Sequence, residues 1–68
     1  MTKKQILTLI KLDYLNKSVK NFERNFVFPC RKIDQIGAIY RYGIEYDDDK
    51  KPIVVNLMVQ DNKIINII

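Results

Sequence analysis

Ile36, Ala38, Tyr40, Tyr42, Ile44 and Tyr46 alternate with Gly37, Ile39, Arg41, Gly43 and Glu45, and Ile53, Val55, Leu57 and Val59 alternate in the same way. A period of two marks a strand with one face on a core, because successive side chains leave a pleated backbone on opposite sides. The polar stretch Asp47-Asp48-Asp49-Lys50-Lys51-Pro52 separates the two runs, and Asp61-Asn62-Lys63 leads into Ile64-Ile65-Asn66-Ile67-Ile68. Residues 38–68 are therefore predicted to form a three-stranded antiparallel meander.

The register follows from keeping one face apolar. Pairing Tyr46 with Ile53 sets Ile44 opposite Val55, Tyr42 opposite Leu57 and Tyr40 opposite Val59, all on one side. In the next hairpin, a two-residue Asp61-Asn62 loop would turn Asn66 to that side. A three-residue loop with a bulge would place Ile65 and Ile67 there instead, and it is preferred because it buries isoleucines rather than an amide. The opposite face carries Ile39, Arg41, Val54, Asn56, Met58 and Ile64, too apolar a set for a plain solvent face.

Residues 3–25 contain no Gly or Pro and read as helix. Thr2 is the N-cap, and Gln5 completes a capping box. Leu12, Leu15, Val19, Phe22 and Phe26 follow a helical spacing and form one narrow stripe. Ile6, Leu7, Leu9, Ile10 and Tyr14 lie mostly on other faces and do not line up with it. Either the helix breaks near Asp13, or one long helix packs its later stripe on the sheet and offers Ile6, Leu9 and Ile10 to a partner. The continuous helix is the expectation, since nothing between Lys11 and Ser18 is a strong breaker. Phe26-Val27-Phe28 closes at Pro29, and residues 29–37 are predicted to be a connector or short helical turn, with Pro29 near its start and Gly37 just past its end. The expected architecture is a single α+β domain over residues 1–68, an N-terminal helix (helical segment 1–28) packed on a three-stranded antiparallel β-meander.

The chain has no histidine, which removes the commonest general base and metal ligand. Its single cysteine, Cys30, precedes Arg31 and Lys32, and neighbouring cations lower a thiol's pKa. A half-buried, inert side chain is nevertheless the expected state of Cys30. Asp47, Asp48 and Asp49 lack the alternation and closing Glu of a calcium loop, and they read as a solvated turn. There is no Gly-rich phosphate loop. No set of residues joins a base to an electrophilic stabiliser, so the chain is expected to be no enzyme, with no metal and no cofactor.

A 68-residue chain with one cysteine cannot close an internal disulfide. Domains this small are marginal alone, so self-association is expected, through Ile6, Leu9 and Ile10 and aided by a free sheet edge. One thiol fits a reducing compartment. Lys3 and Lys4 before an apolar patch resemble the start of a signal peptide, but Lys11 and Asp13 interrupt the patch and no small-residue cleavage site follows. A cytoplasmic location is expected, with no membrane partner.

Ile, Lys and Asn supply 26 of the 68 residues, as an AT-rich genome would encode. Residues 1–32 hold eight Lys/Arg and two Asp/Glu, whereas residues 33–68 hold four and six. The expected role is a small non-catalytic protein-binding module, of the kind a phage or mobile element encodes to inhibit a host protein. Its partner surface is assigned to Ile6, Leu9, Ile10 and Met58. The alternative is a small basic nucleic-acid-binding regulator that uses Lys17, Lys20, Arg24, Arg31 and Lys32 to track phosphates. Tyr40 and Tyr42 share a face with Ile44 and Leu57, so they are read as core rather than as base-stacking platforms.

Overall fold

A computed structural model describes residues 2–46 and 51–68. Helix α1 spans Lys3–Tyr14 and starts as its sequence requires. The Thr2 hydroxyl accepts from the Gln5 N–H at 3.2 Å, and the Gln5 side chain accepts from the Thr2 N–H at 2.7 Å. Two of the orphan N–H groups of the first turn are thereby satisfied.

The helix does not continue to residue 25. It stops at Tyr14, and a second helix, α2, runs Val19–Asn25 with Ser18 as its N-cap. The Ser18 hydroxyl accepts from the Asn21 N–H at 3.0 Å. Asn16 takes the left-handed conformation at φ 68°, which Asn tolerates better than most residues. The misaligned apolar stripes explain the break. A continuous helix could not aim both Ile6-Ile10-Tyr14 and Val19-Phe22 at one sheet, whereas a break re-phases the second set. Both sets are buried in a single core. Leu12 and Leu15 of the expected stripe fall outside it, Leu12 being 76% exposed.

The sheet has four strands, not three, in the order β1-β2-β3-β4, all antiparallel. The added strand is β1, Cys30–Ile36, in the segment expected to be a connector or short helical turn. Pro29 favours extended backbone before it, and Gly37, at φ 58°, supplies the left-handed residue of a tight turn into β2, Ile39–Ile44. Ile33 is extra in the β1–β2 ladder, a bulge between Lys32 and Asp34.

β3 spans Ile53–Gln60 and pairs with β2 through Ile44↔Ile53, Tyr42↔Val55 and Tyr40↔Leu57. This is two residues from the expected register. An even slip keeps every side chain on its face, so the apolar pattern cannot distinguish the two registers; only the length of the connection does. The expected turn at Asp47–Lys50, with its carboxylates, lies outside the described residues.

β4, Lys63–Ile67, follows a two-residue loop in which Asp61 and Asn62 both have positive φ, at 53° and 65°. The right-handed strand twist favours such a turn, and Asp and Asn accept it. The expected three-residue loop is absent. A bulge at Ile65 then changes the phase, so that Ile64 and Ile67 face the core and Asn66 does not. Ile64, expected on the opposite face, is fully buried and Ile65 is exposed.

The core is Ile6, Ile10, Tyr14, Val19 and Phe22 from the helices against Tyr42, Ile44, Val55, Leu57, Val59, Ile64 and Ile67 from the sheet. Phe22 sits edge-on to Tyr42 at 5.4 Å between ring centroids and to Tyr14 at the same distance. The link between the helices also seals the outer edge of β4. Asn16 N–H donates to Ile64 O at 2.7 Å, Ile64 N–H to Lys17 O at 2.9 Å and Val19 N–H to Asn62 O at 2.8 Å.

Candidate protein-binding face

Both helices share a core with one side of the sheet, and the alternation along the strands sends the remaining side chains to the other. In a row across β1, β2 and β3 lie Asp34, Arg41 and Asn56, with Ile68 beyond β3. On one side of this row stand Ile36, Ile39 and Met58, with Ile65 and Asn66 on β4. On the other side stand Ile33 and Val54, over Gly43. Gly43 leaves a hollow that Ile33 and Pro52 close, each with a carbon 3.5 Å from where a Cβ would be. Ile36 is 67% exposed and Ile68 57%.

The polar row is largely self-satisfied. Arg41 donates through Nε to Asp34 Oδ1 at 2.6 Å and through Nη2 to Asp34 Oδ2. This two-pronged hydrogen bond holds the Asp34 carboxyl below its ordinary pKa and raises that of Arg41. Asn56 is the exception: its Oδ1 is buried and has no hydrogen-bond partner among the described residues. A buried acceptor left unpaired costs about 1–3 kcal/mol.

The residues assigned to partner binding from the sequence divide between two places. Ile6 and Ile10 are fully buried in the core and offer no surface. Leu9 is half-buried and, with Lys4, Gln5 and Thr8, lines a shallow cavity of about 400 Å³ on α1. Met58 lies on the open sheet face. Ile33, Asp34 and Ile36 join the face because their segment, expected to be a connector or short helical turn, is a strand, and Ile65, expected in the core, joins it through the β4 bulge. The excess of apolar residues at Ile39, Val54 and Met58 was the signal for this face.

The five cations of the alternative reading are not gathered into one patch. Lys17 lies in the link that pairs with β4, at one edge of the sheet. Arg31 and Lys32 lie on β1, at the other edge, four strand spacings or roughly 19 Å away. Alternation sends those two to opposite faces, and Lys32 is engaged, its Nζ 3.9 Å from the Tyr40 ring centroid and donating to Gln35 Oε1 at 2.7 Å. Lys20 and Arg24 are exposed on α2.

Cys30 is half-buried. Burial raises its thiol pKa, and the nearby Glu23 carboxylate adds to the rise. Among the described residues, no group of three or more His, Cys, Asp or Glu is placed to hold a metal ion. No helix among them is long and apolar enough to cross a membrane. In comparisons with known proteins, no protein family, no curated protein and no solved structure matches this chain.

Proposed function

We propose that this chain is a non-catalytic protein-binding module whose partner surface is the open face of the sheet. The observation that carries the reading is the apolar face around Met58: Ile33, Ile36, Ile39, Val54, Ile65 and Ile68 flank the Asp34–Arg41 ion pair and Asn56, with no helix over them among the described residues. Apolar side chains grouped on one face in this way mark interaction sites, and the arrangement, isoleucines, Val54 and Met58 about one ion pair with Arg31 and Lys63 toward the rim, resembles a protein interface with an apolar centre and a polar rim. Met58 adds a side chain able to adapt to a partner's shape. A raised thiol pKa at Cys30 supports a structural rather than a nucleophilic role for the one cysteine.

The biological setting we propose is inhibition of a host protein by a product of a phage or mobile element, which the AT-rich coding bias supports. The test is affinity capture from the lysate of a low-GC Gram-positive bacterium, with wild type and Met58→Asp as baits, with and without nuclease. The expected result is a captured protein that survives nuclease and is lost with Met58→Asp. Capture abolished by nuclease, or unchanged by the substitution, overturns the reading.

A further inference from the structure

We propose that, with no other protein present, the open sheet face is covered by a second copy of this chain, the two sheets packing face to face about a twofold axis. This rests on the reading of that face as a protein-binding surface, and it names the occupant.

The free edge of the sheet is a poor site for self-association. The outer edge of β4 is occupied by the link at Asn16, Lys17 and Val19. β1 presents the other edge, and it carries Arg31, Lys32 and the bulge at Ile33. Charge and a bulge on an edge strand both discourage strand addition. The face is a better candidate. The strands are seven, six, eight and five residues long. With strand rise and spacing this gives a flat footprint on the order of 400 Å² a side, which side-chain relief carries to about 1,000 Å² of accessible surface for two copies. That reaches the roughly 1,000 Å² a biological interface must clear, at the weak, concentration-dependent end of the range. Two sheets in contact through their apolar faces are a standard packing, and a twofold contact is the commonest closed arrangement.

Self-complementarity favours one axis, along the strands and between β2 and β3. It sets β2 of each copy on β3 of the other and β1 on β4, and it keeps each row level with itself. Ile39 then meets Met58 of the second copy, and Ile36 meets Ile65. Arg41 meets Asn56. Asp34 takes its Nε and one Nη2 hydrogen, and Nη1 has no partner among the described residues. A turn of the Asn56 amide about its Cβ–Cγ bond presents the unpartnered Oδ1 to that guanidinium. Arg31 and Lys63 of the two copies do not oppose each other. Arg31 lies in the row of Gly43 and Val54, while Lys63 lies beyond Met58 in the row of Gln60. An axis across the strands through the polar row would set Asp34 on Asp34.

The experiment is sedimentation equilibrium of the full chain at about 1–200 μM, on wild type, Met58→Asp, Ile36→Lys and Leu9→Asp, with circular dichroism of each. The expected result is a concentration-dependent species of twice the 8.1 kDa chain mass. Met58→Asp and Ile36→Lys should each weaken it about tenfold or more, and Leu9→Asp should leave it unchanged. If Met58→Asp fails to fold, Ile36→Lys decides, since Ile36 is largely exposed in the single chain. Wild type that stays monomeric throughout overturns the proposal, as does a dimer that survives both face substitutions or is lost with Leu9→Asp. A monomeric wild type that still captures a lysate protein in a Met58-dependent way leaves the binding face standing and refutes only the second copy as its occupant.

Discussion

The Tyr42 hydroxyl donates to Glu23 Oε1 across 2.8 Å, tying the second helix to the second strand at a point where the tyrosine is almost wholly enclosed. The ring supplies core area and an edge-on contact to Phe22, while the hydroxyl reaches the rim and finds a carboxylate. Buried tyrosines usually need such a partner.

Tyr42→Phe keeps the ring and removes the bond. It should cost about 1–2 kcal/mol, which lowers Tm by roughly 5–15 °C in a domain of this size. Burial first, then the bond to Glu23 and its charge, raise the Tyr42 pKa above its ordinary value. The folded state therefore holds its proton where the unfolded chain has begun to lose it. That contribution is complete below about pH 10 and fades as pH rises beyond it. Thermal melts across alkaline pH should show wild type losing stability more steeply than Tyr42→Phe. Tyr14, also raised by burial, keeps some slope in the variant, but equal slopes would remove Tyr42 from the account.

Phe22 touches Tyr14, Phe26 and Tyr42 through its ring. Phe22→Ala should cost about 3–5 kcal/mol, a large share of the total stability of a small domain. Leu12→Ala and Lys17→Ala should change little, since both side chains are exposed. Chemical denaturation of the three variants checks this. A Leu12→Ala loss as large as that of Phe22→Ala would show that the long-helix stripe, not the broken one, packs on the sheet.

Asn16 holds φ at 68° in the link between helices. Asn16→Gly should be nearly neutral, and Asn16→Val should be destabilising by about 1–2 kcal/mol, because a branched side chain resists the left-handed region. Denaturation midpoints measure both. If Val is tolerated as well as Gly, the break between α1 and α2 is not held at Asn16.

The α+β class, the antiparallel pairing and the face shared by Tyr42, Ile44, Val55 and Leu57 were legible because period-two alternation survives any even slip of register. Register itself was not legible, since a two-residue shift leaves the pattern unchanged. β1 was hidden because Arg31, Lys32, Asp34 and Gln35 interrupt the apolar positions and the bulge at Ile33 breaks the period. The helix break was visible only indirectly, as two apolar stripes that no single helix could bury together; Ser18, which caps α2, is a weak breaker by itself. For the binding face, the excess of Ile39, Val54 and Met58 was readable, but its width depended on the unseen strand. A continuous helix whose later stripe packs on the sheet leaves Ile6 and Ile10 outside for a partner, whereas the broken helix turns them into the core.

The positions of the cations lead to the last prediction. Lys17 stands at the β4 edge, Arg31 and Lys32 at the β1 edge, and Lys32 is engaged by Tyr40 and Gln35. A phosphate-tracking surface needs its charges spaced along one groove-facing line; here Lys20 and Arg24 on α2 are the pair closest to that description. Fluorescence anisotropy with labelled duplex DNA and with single-stranded RNA should therefore give only weak, sequence-independent binding, no tighter than roughly 10 μM near 150 mM salt. Two phosphate contacts imply a log–log salt slope near −2 on duplex, which the double variant Lys20→Ala, Arg24→Ala should flatten to about zero. A slope near −4.5 would mean that all five cations engage phosphate. With nanomolar, sequence-selective affinity beside it, that slope would overturn the protein-binding reading and make the helical side of the molecule its working surface.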